Sequence, residues 1–209
     1  MNRLDVTINT FDKYADQYQD KYMKYEPYIA TYRYLSNLLS ADAEVLDVAC
    51  GPGNICKYLL EEKPDLIIHG IDLSPKMISL AKSNNPTAFF EVMDSRKISS
   101  FKKTYDAIVA GFLFPYLSRE EVTQFIVSAR AIIRTGGIIY ISTMEGDYEN
   151  SGYQSNKNTD QVYIYYHQAK YLMDQLKSAG FEIINIERKP FAAEHDSTVM
   201  DLFIYAMVR

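Results

Sequence analysis

Three carboxylates and one glycine-rich turn carry the chemical signal of this sequence. Val45-Leu46-Asp47-Val48-Ala49-Cys50-Gly51-Pro52-Gly53-Asn54 reads as a buried strand that runs into a Gly-Pro-Gly turn and then a helix. Glycine is needed where a backbone must approach a ligand closely or take a positive φ. Gly and Pro also make ordinary turns, so the strand before this turn and the helix after it give it its value. Asp72 ends the next apolar run, nineteen residues beyond Gly53. A carboxylate at the end of a strand in a doubly wound sheet can accept from both hydroxyls of an adenosine ribose. It can also cap the helix that starts near Pro75, as can Ser74; the glycine turn upstream favours the ribose. Asp94, in Val92-Met93-Asp94-Ser95, stands where the edge of an adenine would be read, or is a solvated turn residue.

Two features argue against a dinucleotide. The fingerprint for one has a third glycine that lets helix and strand pack closely; here Gly53 is followed by Asn54, Ile55 and Cys56. Asp47 beside the turn would repel a pyrophosphate, but suits a ligand that carries an ammonium group and a sulfonium. A phosphate-binding P-loop is excluded because no Gly-Lys-Ser/Thr occurs.

The elements that must position these residues alternate along the chain. Strands are expected at 44–48, 66–71, 88–92, 106–110 and 137–143, and helices at 54–62, 75–83 and 120–134. This β-α-β-α order implies a parallel sheet with helices on both faces. The last third changes register. Residues 144–160 are polar and read as a loop, 169–179 as a helix stopped by Gly180. Residues 181–189 and 200–208 then read as two successive strands, which should pair antiparallel. The fold class expected is therefore α/β: a doubly wound, Rossmann-like seven-stranded sheet, mostly parallel with an antiparallel C-terminal strand. Residues 1–40 form an N-terminal helical cap and 41–209 the main domain. Seven of the eighteen tyrosines lie between Tyr14 and Tyr34. Phe11, Tyr14, Tyr18, Tyr22 and Tyr25 recur at the spacing of one helical face until Pro27 interrupts them. That stripe packs on the main domain, and part of it is placed to lid a ligand site.

Composition narrows the class. With 47% hydrophobic residues the chain can bury a core, which excludes a disordered protein. Twenty-two basic against 27 acidic residues give a net charge of −5, without the basic surplus or stripe of a nucleic-acid binder. Two cysteines are too few for a disulfide framework or a four-cysteine zinc site, so no metal is expected. No apolar run is long enough to span a bilayer, and residues 1–5 lack the apolar core of a signal peptide. The expected location is the cytoplasm, by default.

Taken together the motifs resemble class I S-adenosylmethionine-dependent methyltransferases over nearly the whole chain. Asp47-Val48-Ala49-Cys50-Gly51-Pro52-Gly53 is similar to the family's first motif, with Ala49 where many members have Gly. Gly70-Ile71-Asp72-Leu73-Ser74-Pro75-Lys76-Met77 is similar to the second. Tyr105-Asp106-Ala107-Ile108-Val109 resembles the fourth strand, and Arg134-Thr135-Gly136-Gly137-Ile138 the turn into the fifth. Phe11-Asp12-Lys13-Tyr14-Ala15-Asp16-Gln17-Tyr18 resembles a stretch that often precedes the first motif.

The resemblance implies S-adenosyl-L-methionine as cofactor and a role for each matched residue. Backbone at Ala49, Gly51 and the Gly53 turn would hold the methionyl part, with Asp47 ordering the loop and its amino group. Asp72 would take the ribose hydroxyls. Leu73 and Met77 would sandwich the adenine, and Asp94 and Ser95 would read its edge. Gly111 and Phe112 would line the path to the methyl group, and Tyr14 and Tyr18 would close over the cofactor. An oxygen acceptor also needs a base; His167 and Glu145, in the acceptor-specific C-terminal third, are the candidates. His69, at the buried end of the second strand, reads as structural. Planar amino acceptors are disfavoured because Ala110-Gly111-Phe112-Leu113-Phe114-Pro115-Tyr116 stands where enzymes of that kind carry Asn/Asp-Pro-Pro-Tyr. Neither Cys50 nor Cys56 is placed as a nucleophile for ring-carbon methylation. The surroundings (Phe112, Phe114, Tyr116, Tyr148) suit a small, partly apolar acceptor. The expected function is methyl transfer to a small molecule, with neither nucleic acid nor membrane as partner. The alternatives are a non-catalytic protein that binds S-adenosylmethionine or S-adenosylhomocysteine, and a protein methyltransferase.

Overall fold

A computed structural model describes residues 3–155, 161–190 and 200–209. Two helices come first, α1 (Arg3–Tyr22) and α2 (Glu26–Leu38). Pro27 stands at the start of α2, where its missing N–H costs nothing. The alternating region follows as β1 (Glu44–Val48), α3 (Asn54–Glu62), β2 (Ile67–Asp72), α4 (Pro75–Asn84), β3 (Phe89–Val92), β4 (Tyr105–Gly111), α5 (Arg119–Ile132) and β5 (Ile133–Glu145). The chain then forms β6 (Gly152–Ser155), β7 (Gln161–Ile164), α6 (Ala169–Ser178), β8 (Phe181–Pro190) and β9 (Met200–Val208).

Seven strands make one sheet in the order β3-β2-β1-β4-β5-β9-β8. The pairs among β1 to β5 are parallel, and β9 runs antiparallel between β5 and β8. The fold class and the terminal antiparallel strand are as the sequence predicts. Two details differ. Helix α5 ends at Ile132, and Ile133 is already extended (φ −104°, ψ 138°). Between Ile133 and Ile138 the register against β4 shifts, because Gly136 (φ 78°) and Gly137 turn the backbone tightly there. The stretch 144–160, expected to be a loop, contains the two strands of a small antiparallel sheet, β6 with β7. A Tyr153–Tyr163 edge-to-face pair spans it at 5.1 Å. Residues 156–160 of that stretch lie outside the described residues.

The pleat sends alternate residues to opposite faces. Leu46 and Val48 of β1, and Leu202 and Ile204 of β9, pack with Phe125, Leu172 and Leu176 of α5 and α6. Val45, Phe203 and Tyr205 face α2, α3 and α4 with Tyr28, Leu35, Leu59 and Ile78. The aromatic stripe belongs to this second face. Its rings continue past Pro27: Tyr18–Tyr22, Tyr22–Tyr25 and Tyr25–Tyr28 centroids lie 4.5, 5.5 and 4.7 Å apart. Tyr205 Oη donates to Thr31 O (3.0 Å), so the polar tip of a fully buried ring is satisfied on α2. His69 bridges Tyr105 and Glu91 (2.9 and 3.0 Å), a structural network within the sheet. Among the described residues no helix is long and apolar enough to cross a membrane.

Gly70 tests the packing of β2. A Cβ there would lie 2.4 Å from Phe90 Cδ1 and 3.1 Å from Cys50 Sγ. Overpacking of this kind costs about 1–3 kcal/mol. Gly70→Ala is expected to lower the urea midpoint accordingly; an unchanged midpoint would show that Phe90 moves freely and that the interior here is loose.

Candidate functional site

β1, β2, β3 and β4 all end at the same edge of the sheet, and their carboxyl ends open on one cavity of about 440 Å³. Ala49 and Gly51 from the β1–α3 turn form one wall. Both have left-handed backbones (φ 57° and 54°), a conformation that costs alanine about 1 kcal/mol. Strain held at a cavity wall points to function. It turns the backbone so that Gly51 N–H donates to Asp72 Oδ2 at 2.9 Å.

Asp72 stands at the end of β2. Its Oδ1 accepts from Ser74 N–H (2.9 Å), so one carboxylate serves the turn after β1 and the start of α4, and still faces the cavity. Burial raises its pKa, against the pull of the two N–H groups. Ser74 is the N-cap of α4, where its Oγ accepts from Met77 N–H (3.0 Å). Ser74 thus takes the capping role weighed for both residues, and Asp72 is left at the cavity wall. Leu73 and Met77 line the cavity beside them.

Asp94 and Ser95 follow β3 and line the same cavity. Asp94 accepts from Arg96 N–H (2.9 Å) and pairs with its guanidinium, Nε at 3.0 Å from both oxygens. Burial pushes the Asp94 pKa up, but these bonds outweigh it and hold the carboxyl below its usual value. Gly111 and Phe112 complete the floor after β4. Phe112 is again left-handed (φ 51°) and its N–H donates to Ser142 O (2.9 Å). A Cβ on Gly111 would meet Ile55 Cδ1 at 2.5 Å, so the β4 end packs directly on α3.

The roof comes from α1 and β7. Arg3, Thr7, Phe11 and Tyr18 lie on it, with Tyr163 and Tyr165 opposite. Arg3 Nη1 donates to Tyr165 Oη (2.8 Å), and its guanidinium lies 4.5 Å from the Tyr163 ring centre. Asp12 closes α1 onto α4 by accepting from Ser74 Oγ and from Lys76 N–H. Phe11 meets Tyr116 edge-to-face at 5.2 Å.

Of the predicted residues, Tyr18, Ala49, Gly51, Asp72 and Leu73 meet at this cavity with Met77, Asp94, Ser95, Gly111 and Phe112. Four others stand elsewhere. Tyr14 lines neither this cavity nor the smaller one beside it, and α1 kinks at this residue (φ −109°, ψ 16°). Gly53 is the N-cap of α3 (φ 79°), and a Cβ there would meet Asn85 Nδ2 at 2.4 Å, so it shapes the turn from behind. His167 is fully buried and off the cavity. Its Nε2 donates to Phe114 O (3.1 Å) and Leu117 O (3.0 Å), and burial lowers its pKa. Glu145 is held by Arg188 (2.5 and 3.0 Å) and accepts from Ala169 N–H at the start of α6 (3.2 Å). Arg188 holds its pKa down. Both act as braces of the C-terminal elements rather than as bases facing the cavity.

Asp47 lines a second, smaller chamber that adjoins the first through Tyr18, Ala49, Gly51, Gly111, Phe112 and Tyr116. It is 2% exposed, and its Oδ2 has no hydrogen-bond partner among the described residues. Burial first, and then the charge of Asp72, push its pKa from 3.8 to about 8.

The comparisons agree with this geometry. Residues 45–137 match the family described as "Methyltransferase domain". Over that stretch, a little under half of its length, the chain is similar to this family. A malonyl-[acyl-carrier protein] O-methyltransferase of Halalkalibacterium halodurans is 31% identical over 49% of this chain and 40% of its own. A tRNA N(3)-methylcytidine methyltransferase, trm141 of Schizosaccharomyces pombe, is 23% identical over 69% and 66%. The chain spans less than two thirds of the length of the first curated relatives it matches. The solved DhpI–SAH complex shares the fold with a TM-score of 0.73 over 99% of this chain and 97% of that one, at 15% identity.

Asp47 gives a pH test. Because its folded pKa is raised, the folded state holds a proton that the unfolded chain has lost between about pH 4 and pH 8. Its contribution to stability is therefore full at low pH and is lost as pH rises through that window. Asp47→Asn is expected to flatten the fall in urea midpoint between pH 5 and pH 8. Parallel profiles for the two proteins would contradict the assignment.

Proposed function

We propose that this chain transfers a methyl group from S-adenosyl-L-methionine to a small-molecule acceptor. The observation that carries the reading is the convergence of four strand ends on one cavity, each bringing the residue type that one part of this cofactor needs. The residues fit it. Asp47 offers a buried carboxylate oxygen that lacks a partner among the described residues, and the left-handed Ala49–Gly51 backbone leaves room for close approach. Ala49, Gly51 and Asp47 would hold the amino-acid end and Asp72 the ribose hydroxyls. Leu73 and Met77 would lie against the adenine, with Asp94 and Ser95 at its edge. Bound there, the cofactor supplies an electrophilic methyl on a sulfonium.

The protein's own part is alignment and exclusion of water. Phe112, strained at the end of β4, and Tyr18 on α1 close the space around the sulfur position. The Arg3–Tyr165 and Asp12–Ser74 contacts hold the roof. An oxygen or nitrogen acceptor also has a proton to lose, and neither His167 nor Glu145 faces the cavity to take it. The relatives' names give unlike acceptors, a malonyl-[acyl-carrier protein] and a tRNA, so a small acceptor rests on the closed aromatic surroundings and the net charge of −5. The same charge and the lack of a spanning helix among the described residues support a role away from nucleic acid and membrane, in the cytoplasm.

Calorimetric titration checks the cofactor. S-adenosylmethionine and S-adenosylhomocysteine are expected to bind, and NADH is not. Asp72→Ala removes charged hydrogen bonds of about 1.5–3 kcal/mol each, so affinity for both adenosyl compounds should fall at least tenfold. Binding of NADH with neither adenosyl compound bound would overturn the proposal.

A further inference from the structure

The smaller chamber, about 120 Å³, lies on the α2 side of the sheet. Its wall holds two buried carboxylates. Asp47 comes from β1, and Asp201 from β9, fully buried at the end of that strand next to Met144 of β5. Their positions in the pleat put both on the face that carries Val45, Phe203 and Tyr205. Each has one oxygen without a hydrogen-bond partner among the described residues, Asp47 Oδ2 and Asp201 Oδ1. Asp201 Oδ2 accepts from Tyr28 Oη. Aromatic rings line much of the rest of the wall, among them Tyr22, Tyr28, Tyr32 and Phe112, with Tyr28 stacked on Phe112 at 5.4 Å. Among the described residues that line it there is no Lys, Arg or His.

A buried carboxylate oxygen without a partner costs folding free energy. With tyrosine faces around it and no internal cation, the wall is complementary to positive charge: Asp201 faces it directly, and Asp47, protonated in the free chain below about pH 8, is driven to ionise when a cation binds beside it. The cofactor assigned above brings one ammonium group, and Asp47 beside the Ala49–Gly51 turn is placed for it. Asp201 stands at the carboxyl end of β5, past Phe112, and is left over.

We propose that Asp201 and the tyrosines of α1 and α2 form the acceptor subsite, and that the acceptor is an aliphatic amine whose nitrogen is the atom methylated. This rests on the cofactor reading above and deepens it. The amine enters as its ammonium form with an N–H directed at Asp201 Oδ1. That N–H bond breaks, its electron pair stays on nitrogen, and the proton forms an O–H bond on Asp201. The nitrogen pair then forms the new C–N bond while the methyl–sulfur pair stays with sulfur. Asp201 is therefore a catalytic residue, and it fills the role that His167 and Glu145 do not. Burial lifts its pKa to about 6, against the Tyr28 hydrogen bond that lowers it, so it is ionised at neutral pH and ready to accept. The absence of Asn/Asp-Pro-Pro-Tyr after β4 agrees with an aliphatic nitrogen rather than a planar one.

The test is calorimetric and does not depend on turnover. Ethylammonium chloride, sodium propionate and propanol are titrated into the full chain, with and without S-adenosylhomocysteine. Ethylammonium is expected to bind in preference to the other two. Asp201→Asn, which keeps the shape and an acceptor for Tyr28, should weaken ethylammonium at least tenfold and leave S-adenosylhomocysteine affinity within about threefold. Tyr22→Leu keeps the wall apolar but removes a π face, and should weaken ethylammonium by about threefold or more. Equal binding of propionate or propanol, no binding of ethylammonium, or an Asp201→Asn protein that binds it like the wild type would overturn the amine assignment. Failure of wild type to bind S-adenosylhomocysteine would instead overturn the cofactor reading, and the titration without it still reads the chamber.

Discussion

The Asp72 side chain accepts from Gly51 N–H with one oxygen and from Ser74 N–H with the other, both at 2.9 Å. The edge of the sheet is organised around that tie. It fixes the left-handed turn after β1 to the N-terminus of α4, and Ser74 in turn caps that helix and donates to Asp12 of α1. One carboxylate thus links the floor of the cavity, its side wall and its roof. Its buried charge is tolerated because two N–H groups satisfy it, and the remaining acceptor capacity faces the cavity.

Against this well-satisfied carboxylate stand two that are not. Asp47 and Asp201 each leave an oxygen without a partner among the described residues, and Ala49 and Phe112 hold strained backbones beside them. All four residues line one chamber. Backbone strain and unmatched carboxylates gathered at one place are the pattern of a functional site. On the proposed reading the missing partners are the two cationic ends of the ligands.

Much of the fold was legible from periodicity. β1, α3 and β9 have the bounds that the apolar runs predict, and the pairing of β9 follows from two strands with no helix between them. The small β6–β7 sheet was not legible, because Gly152–Ser155 lacks the apolar alternation that marks a strand and is held by one cross-strand tyrosine pair. The cavity-lining residues near the glycine turn were readable because their backbone chemistry depends on sequence spacing. His167 and Glu145 were not, because a base is defined by what its free atoms face: Glu145 spends its oxygens on Arg188 and Ala169, and His167, bonded through Nε2 to Phe114 and Leu117, lines neither chamber. Arg3, Thr7 and Tyr165 reach the cavity only through the docking of α1 on β7, a contact about 160 residues apart in sequence. Asp201 did leave a signal, a carboxylate inside the otherwise apolar run Met200-Asp201-Leu202-Phe203-Ile204. A charge in a strand buried on both faces needs a reason.

The central claim is that one cavity holds the adenosyl cofactor with its sulfur turned toward the Asp201 chamber. A crystal structure of the chain with S-adenosylhomocysteine tests this most directly. The account predicts the ribose hydroxyls on Asp72, the amino group at Asp47 and Ala49, and the sulfur beside Phe112 with an open path to Asp201 Oδ1. A ligand whose ribose lies away from Asp72, or whose sulfur faces away from the chamber, would contradict it.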